Sequence, residues 1–232
     1  MIFRLDSDPY SDFPNVALAE VEPNGLLAVG GDLSPMRLIN AYRHGIFPWF
    51  SEDEPILWWS PDPRTVLFPD KIKISRSLRK RLRHGGFRVT YDQAFQEVIK
   101  GCAKPRQGSP GTWLIPKMIR AYMELYRLGM AHSVEVWQQD RLVGGLYGVA
   151  IGSVFYGESM FSEVSDSSKV AMVQLCQTLM ALDFKLIDCQ VYTKHLISLG
   201  AEEIPREQFC QHLDNWCTLP ARQLSWSSFN PE

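Results

Sequence analysis

The stretch from Ser153 to Val191, "SVFYGESMFSEVSDSSKVAMVQLCQTLMALDFKLIDCQV", decides how the rest of the chain is arranged. "SVFYGESMF" alternates and reads as a strand. "SSKVAMVQLCQTLMAL" is apolar on almost every side, so it reads as a buried helix. "LIDCQV", Leu186 to Val191, is a short apolar run that reads as a second core strand. Parity puts Leu186, Asp188 and Gln190 on one face of it and Ile187, Cys189 and Val191 on the other. A carboxylate and an amide on one face of a core strand must find partners or be used, because an unsatisfied buried polar group costs free energy.

The same parity groups Val154, Tyr156, Glu158 and Met160 on one face of the first strand, with Phe155, Gly157, Ser159 and Phe161 on the other. If the two strands are neighbours, Glu158, Asp188 and Gln190 converge on one side. Phe155 and Ile187 then face the other side, against Leu175 and Leu179 of the apolar helix. A single buried carboxylate bonds backbone amides about as often as it catalyses. Two carboxylates and an amide on adjacent core strands favour chemistry.

Upstream, the first sixty residues are rich in Gly, Pro and Trp. A helix there is expected to start after Ser34, with Pro35 at its first position, and to stop at Gly45. A composition change near Pro61 to Arg64 divides the chain into a small N-terminal domain, 1–62, and a larger domain, 63–232. The larger domain opens with a basic helix, "ISRSLRKRLRHG", then a strand "FRVTY" and a helix "DQAFQEVIKGC" with Asp92 near its cap. The loop "PRQGSPGTW" leads to a helix between Pro116 and Gly129. "AHSVEVWQ" and "RLVGGLYGVAI" follow as strands, and "TKHLISLG" and "PREQFCQHLDNW" close the chain as helices. This order is that of an α/β layered fold with a mixed sheet. It resembles the acyltransferase fold of the GCN5-related N-acetyltransferases.

The chain has 232 residues, 45% of them hydrophobic, and no apolar run as long as a membrane span. The N-terminus lacks a secretory pattern, and the 5 cysteines are scattered without a CxxC. No disulfide framework and no metal site is expected, and a reducing cytoplasm suits this usage. The formal net charge is −2. Eight positive charges and no acid lie between Lys71 and Arg88, which leaves about −10 for the rest of the chain. Solvated helix faces normally mix charge signs. Here Arg76, Arg79, Lys80 and Arg83 share one side of a helix without acids, which favours a phosphate-backbone partner.

An acyl-CoA reader of this fold class carries a glycine-rich turn before its central helix. The equivalent turn here, "SEVSDSSK" from Ser162 to Lys169, has no glycine, which weighs against the alternative of an N-acetyltransferase using acyl-CoA. No P-loop or GxGxxG appears, so neither a nucleotide nor another cofactor is expected. Trp49 and Trp113 lie in Pro/Gly-rich loops, where an aromatic serves as a stacking surface more often than as a core plug; a base on tryptophan is worth roughly 1–3 kcal/mol.

"PNGLLAVGGDLSP", "GIFPWF", "WWSPDPR", "GTW", "GGLYGV", "GESMF", "LIDCQV" and "SLGAEEIPR" together resemble the bacterial leucyl/phenylalanyl-tRNA–protein transferase family. The resemblance implies an enzyme that moves leucine or phenylalanine from aminoacyl-tRNA to proteins with N-terminal Arg or Lys, creating an N-degron. It implies catalytic roles for Asp188, Gln190 and Glu158, and a 3′-adenosine site at Trp49 and Trp113. It implies an amino-acid pocket lined by Leu146, Phe155, Leu175, Leu179 and Ile187. Where family members carry Met and Phe, this chain has Leu146 and Leu175, which leaves the preference among Leu, Phe and Met open. The patch of Arg76, Arg79, Lys80 and Arg83 would hold the tRNA. The partners implied are aminoacyl-tRNA and the acceptor proteins, with no membrane, metal or added cofactor.

Overall fold

Among the described residues two sheets, of four and seven strands, form the framework. The computed structural model describes residues 2–105, 113–219 and 226–231. The first sheet contains β1 (Phe3–Leu5) and β2 (Leu26–Gly30), which run parallel. Helix α1 (Pro35–Arg43) follows, then β3 (Phe47–Pro48) and β4 (Leu57–Trp59), giving the order β1-β2-β4-β3. The expected start of α1 is present: Ser34 Oγ accepts the Arg37 backbone N–H at 3.3 Å, and Pro35 opens the helix. Gly45, with φ of +74°, turns the chain out of it.

Sheet membership changes between Trp59 and Arg64. Strand β5 (Arg64–Leu67) already belongs to the second sheet, which neither its length nor its composition announces. Helix α2 (Arg76–His84) is capped by Ser75, and β6 (Phe87–Tyr91) follows. Helix α3 (Phe95–Ala103) starts later than expected, with Ala94 at its cap and no side-chain cap bond. Asp92 is used elsewhere: its carboxylate accepts the Ser133 N–H at 2.8 Å and meets His132 Nδ1 at 2.8 Å. Of the loop before Trp113, residues 106–112 lie outside the described residues.

Helix α4 (Pro116–Arg127) leads to a meander of β7 (Ala131–Gln138), β8 (Arg141–Ile151) and β9 (Val154–Ser162). Helix α5 (Ser167–Ala181) carries the chain to β10 (Leu186–Gln190). Helix α6 (Lys194–Ser198), β11 (Glu202–Ile204) and α7 (Arg206–Trp216) complete the order. The second sheet runs β11-β5-β10-β9-β8-β7-β6, and every neighbouring pair is antiparallel except β9 and β10. A parallel pair needs a long crossover, here α5. That helix is buried nearly all round, from Val170 through Leu179, as its composition requires.

The second sheet carries a core on each face. On the α5 side Leu146, Phe155, Leu175, Leu179 and Ile187 pack together. On the other side Tyr122, Tyr147, Tyr156 and Leu186 join Tyr42 of α1 and Trp58 of β4, so the two sheets share one apolar core. Among the described residues no helix is long and apolar enough to cross a membrane.

The meander is irregular at one point. Tyr147 pairs with Ser159 and the next residue, Gly148, pairs with Gly157, which leaves Glu158 as a bulge. Past the bulge the faces exchange, so Met160 packs on the α5 side and Phe161 on the α3 side, against simple parity. Gly148 makes this register possible, because a Cβ there would lie 2.2 Å from the Tyr156 carbonyl oxygen. Gly148→Ala is therefore expected to destabilise the fold by about 1–3 kcal/mol. A urea midpoint equal to that of the unchanged protein would contradict this register.

Candidate active site

β9 and β10 pair only through Leu186–Asp188 against Val154–Tyr156. Beyond that the strands part, and a cavity of about 780 Å³ occupies the opening. One wall is aliphatic and aromatic, with Leu146, Phe155, Met172, Leu175 and Ile187. The other carries Trp49, Trp113, Tyr147, Glu158 and Gln190. Leu146 and Tyr147, adjacent on β8, point to opposite faces and so contribute to both walls. Leu179, expected in the pocket, is fully buried in the same cluster but off the cavity wall. It lies one helical turn beyond Leu175, and α5 has by then left the opening.

The bulge turns the Glu158 carboxylate toward α1 and α4, into a cluster of hydroxyls. Tyr42 Oη donates to Oε1 at 2.7 Å and Tyr122 Oη donates to Oε2. The two tyrosine oxygens are 3.1 Å apart. Gln190 Nε2 donates to Glu158 Oε1 at 3.0 Å. Burial pushes the carboxyl up to about 7, while the bonds from Tyr122 and Tyr42 pull it down and the Asp188 charge pushes it up. Burial likewise raises the phenols of Tyr42 and Tyr122 well above their usual range.

Asp188 and Gln190 reach this side by an irregular route. Between them β10 shifts register against β5, and Gln190 has φ of +65°. Its N–H is accepted by Asp188 Oδ1 at 2.9 Å. The structure thus brings Glu158, Asp188 and Gln190 together as parity suggests, but unequally. Glu158 and Gln190 line the cavity, whereas Asp188 is fully enclosed behind it, its carboxylate clamped by Arg64. Cys189 is buried and also meets the cavity.

Trp49 is half exposed and packs edge-on against Trp59 with ring centroids 5.8 Å apart. Trp113 packs edge-on against Tyr122 at 6.4 Å. Both tryptophans border the same cavity. Arg76, Arg79, Lys80 and Arg83 are exposed on α2, and none of them has an ion-pair partner among the described residues. Leu78 anchors that helix in the α5-side core. At the start of α5, Asp166 holds the cap position with φ of +67°, and Lys169 pairs with its carboxylate at 2.9 Å.

Several residues of the candidate site escape the sequence reading. Tyr42 and Tyr122 look like ordinary core tyrosines until their helices are set on one sheet face. Arg64 has a signal: a cation at the head of an otherwise uncharged run, Thr65-Val66-Leu67, all of it buried. Thr193 and His195 of the β10–α6 segment also line the cavity.

Comparison with known proteins gives the family of the chain. The family model described as leucyl/phenylalanyl-tRNA protein transferase matches residues 66–214, and that of its N-terminal domain matches residues 31–62. A leucyl/phenylalanyl-tRNA–protein transferase of Stutzerimonas stutzeri (strain A1501) is 60% identical over 218 residues, 92% of this chain and 96% of that protein. One from Nitrosospira multiformis is 57% identical over 226 residues, 97% of each. Among solved structures, a GCN5-related N-acetyltransferase from Kribbella flavida aligns with a TM-score of 0.38 and 10% identity, over 70% of this chain and 58% of that one. With family models on both sides of the sheet boundary and relatives this similar along nearly the whole chain, the protein belongs to the leucyl/phenylalanyl-tRNA protein transferase family of enzymes.

Proposed function

We propose that the protein moves leucine, and also phenylalanine or methionine, from aminoacyl-tRNA to the α-amine of proteins that begin with Arg or Lys. The observation that carries this reading is the cavity's division into an aliphatic wall and a Glu158–Gln190 wall that meet where the sheet opens. The aliphatic wall suits the side chain being transferred, and Trp49 and Trp113 offer faces for the terminal adenine. The exposed cations of α2 suit tRNA phosphates.

The aminoacyl ester is already activated, so the proposed reaction calls for no further cofactor. The attacking α-amine has a pKa of about 7.7–8, and roughly 10–20% of it is neutral at pH 7. The amine nitrogen bonds to the ester carbonyl carbon, and the bond from that carbon to the ribose oxygen breaks. The amine's proton ends on the departing ribose hydroxyl. Gln190 spends its Nε2 on Glu158, which leaves its amide oxygen to accept a hydrogen bond from the amine and aim the nitrogen lone pair. Glu158, held near neutrality, is matched to take up the amine's proton in transit. The ionised Glu158 carboxylate also attracts the cationic N-terminal residue of the acceptor.

The direct test is to incubate the protein with leucyl-tRNA and a peptide beginning with Arg, and to weigh the peptide. A gain of one leucyl residue is expected; no gain with leucyl-, phenylalanyl- or methionyl-tRNA removes the reading.

Because Glu158 is raised to about 7 and acts as the anion, kcat/KM should climb as pH rises through 7 and climb further as the amine deprotonates near 8. Glu158→Gln should lose the limb near 7, keep the amine's limb, and lower kcat by about 10²–10⁴-fold. Identical pH profiles for the two proteins would rule out Glu158 as the titrating group.

Arg79→Ala with Lys80→Ala should weaken tRNA binding at low salt and reduce the log–log salt slope by about 0.7–0.9 for each phosphate no longer neutralised. Turnover at saturating tRNA should change by less than about twofold. An unchanged salt slope would place tRNA on another face.

A further inference from the structure

Arg64 has no part in the chemistry above, yet it is completely enclosed directly behind the cavity wall. Its guanidinium lies over the rings of Phe47 at 4.8 Å and Phe209 at 4.7 Å. Nε donates to Asp188 Oδ1 at 2.8 Å, Nη2 to Oδ2 at 2.7 Å, and Nη1 to the Gly45 carbonyl at 3.0 Å. A planar fork bonded at three nitrogens and stacked on rings has no rotational freedom left.

The pair's effect is directed at Gln190. Asp188 Oδ1, fixed by Arg64, also accepts the Gln190 N–H at 2.9 Å. The Val191 N–H donates to the Cys189 carbonyl at 2.8 Å, closing a γ-turn around Gln190, whose φ is +65°. Glutamine seldom adopts that conformation, and strained turns persist only where their surroundings over-determine them. Here the turn is what brings Nε2 onto Glu158. A buried ion pair is a weak source of net stability, since desolvation offsets its attraction, so the geometry it imposes is the better account of it. Asp188 itself does not line the cavity; its oxygens accept from Arg64 and from the Gln190 N–H.

We propose that Arg64 is a positioning residue for aminoacyl transfer, clamping Asp188 so that the strained turn presents the Gln190 amide to the attacking amine. This rests on the reading of Gln190 and Glu158 as the groups that meet the amine.

A double-mutant cycle on the full chain tests it. Arg64→Lys keeps the charge but loses the fork. It should lower kcat for leucyl transfer to an Arg-starting peptide by about 10–100-fold, with KM for leucyl-tRNA within about twofold. In a Gln190→Ala background the same change should cost less than about twofold in kcat, because Arg64 acts through Gln190. A merely structural role would cost equally in both backgrounds, and that result overturns the proposal, as does unchanged kcat in Arg64→Lys. If Arg64→Lys does not fold, the neutral pair Arg64→Gln with Asp188→Asn takes its place in the cycle. If the unchanged protein transfers nothing, the reading of the function fails by itself. Crystal structures then decide on Arg64: Gln190 with negative φ in the unchanged protein, or with φ and amide unmoved in an Arg64 variant, overturns the proposal.

Discussion

Two neighbouring strands that run in the same direction for three residues and then part are the constraint on which this protein depends. In an otherwise antiparallel sheet, β9 and β10 need a crossover, and α5 supplies it as a helix with no polar face to spare. Where the pair ends, a passage opens between the two faces. An intact sheet would keep the α5-side core and the tyrosine-lined core apart. The opening lets one cavity touch both.

Two irregularities furnish that opening. The Glu158 bulge and the positive φ of Gln190 lie on opposite sides of it, and a hydrogen bond of 3.0 Å joins their side chains. Each departs from ideal strand geometry, and each is held in place by a partner remote in sequence. Tyr42 and Tyr122 hold the first, and Arg64 acting through Asp188 holds the second. The N-terminal sheet is therefore part of the site, because α1 and the Gly45 turn supply Tyr42 and the carbonyl that accepts from Arg64.

Much of this is legible in the sequence wherever period or capping marks an element. The meander, the uniformly apolar α5 and the Ser34–Pro35 start of α1 declare themselves through period and capping. β5 and β11, of four and three residues, carry too little period to detect, so the partner strand of β10 stays hidden, and Arg64 with it. Parity locates Glu158, Asp188 and Gln190 on one side but fails at Met160, since a bulge leaves no mark on residue types. The expected Asp92 cap fails for a similar reason: an aspartate before a helix suits a cap, yet its carboxylate bonds the neighbouring strand. Tyr42 and Tyr122 meet Glu158 across 116 and 36 residues of chain, a proximity that only the assembled fold creates.

The electrostatics of the site follow from which carboxylate received a cation. Asp188 and Glu158 are both buried and stand on adjacent strands, but only Asp188 has a guanidinium against both oxygens. Glu158 is surrounded by neutral donors, which solvate a carboxylate without cancelling its charge. It therefore sits near pH 7, where taking and releasing a proton cost little. Exchanging these surroundings would spoil both roles. A guanidinium on Glu158 would hold it ionised and unreactive, and Asp188 without its guanidinium would loosen its hold on the Gln190 turn. One buried cation, assigned to one of two neighbouring acids, separates a fixed scaffold from a group free to exchange protons.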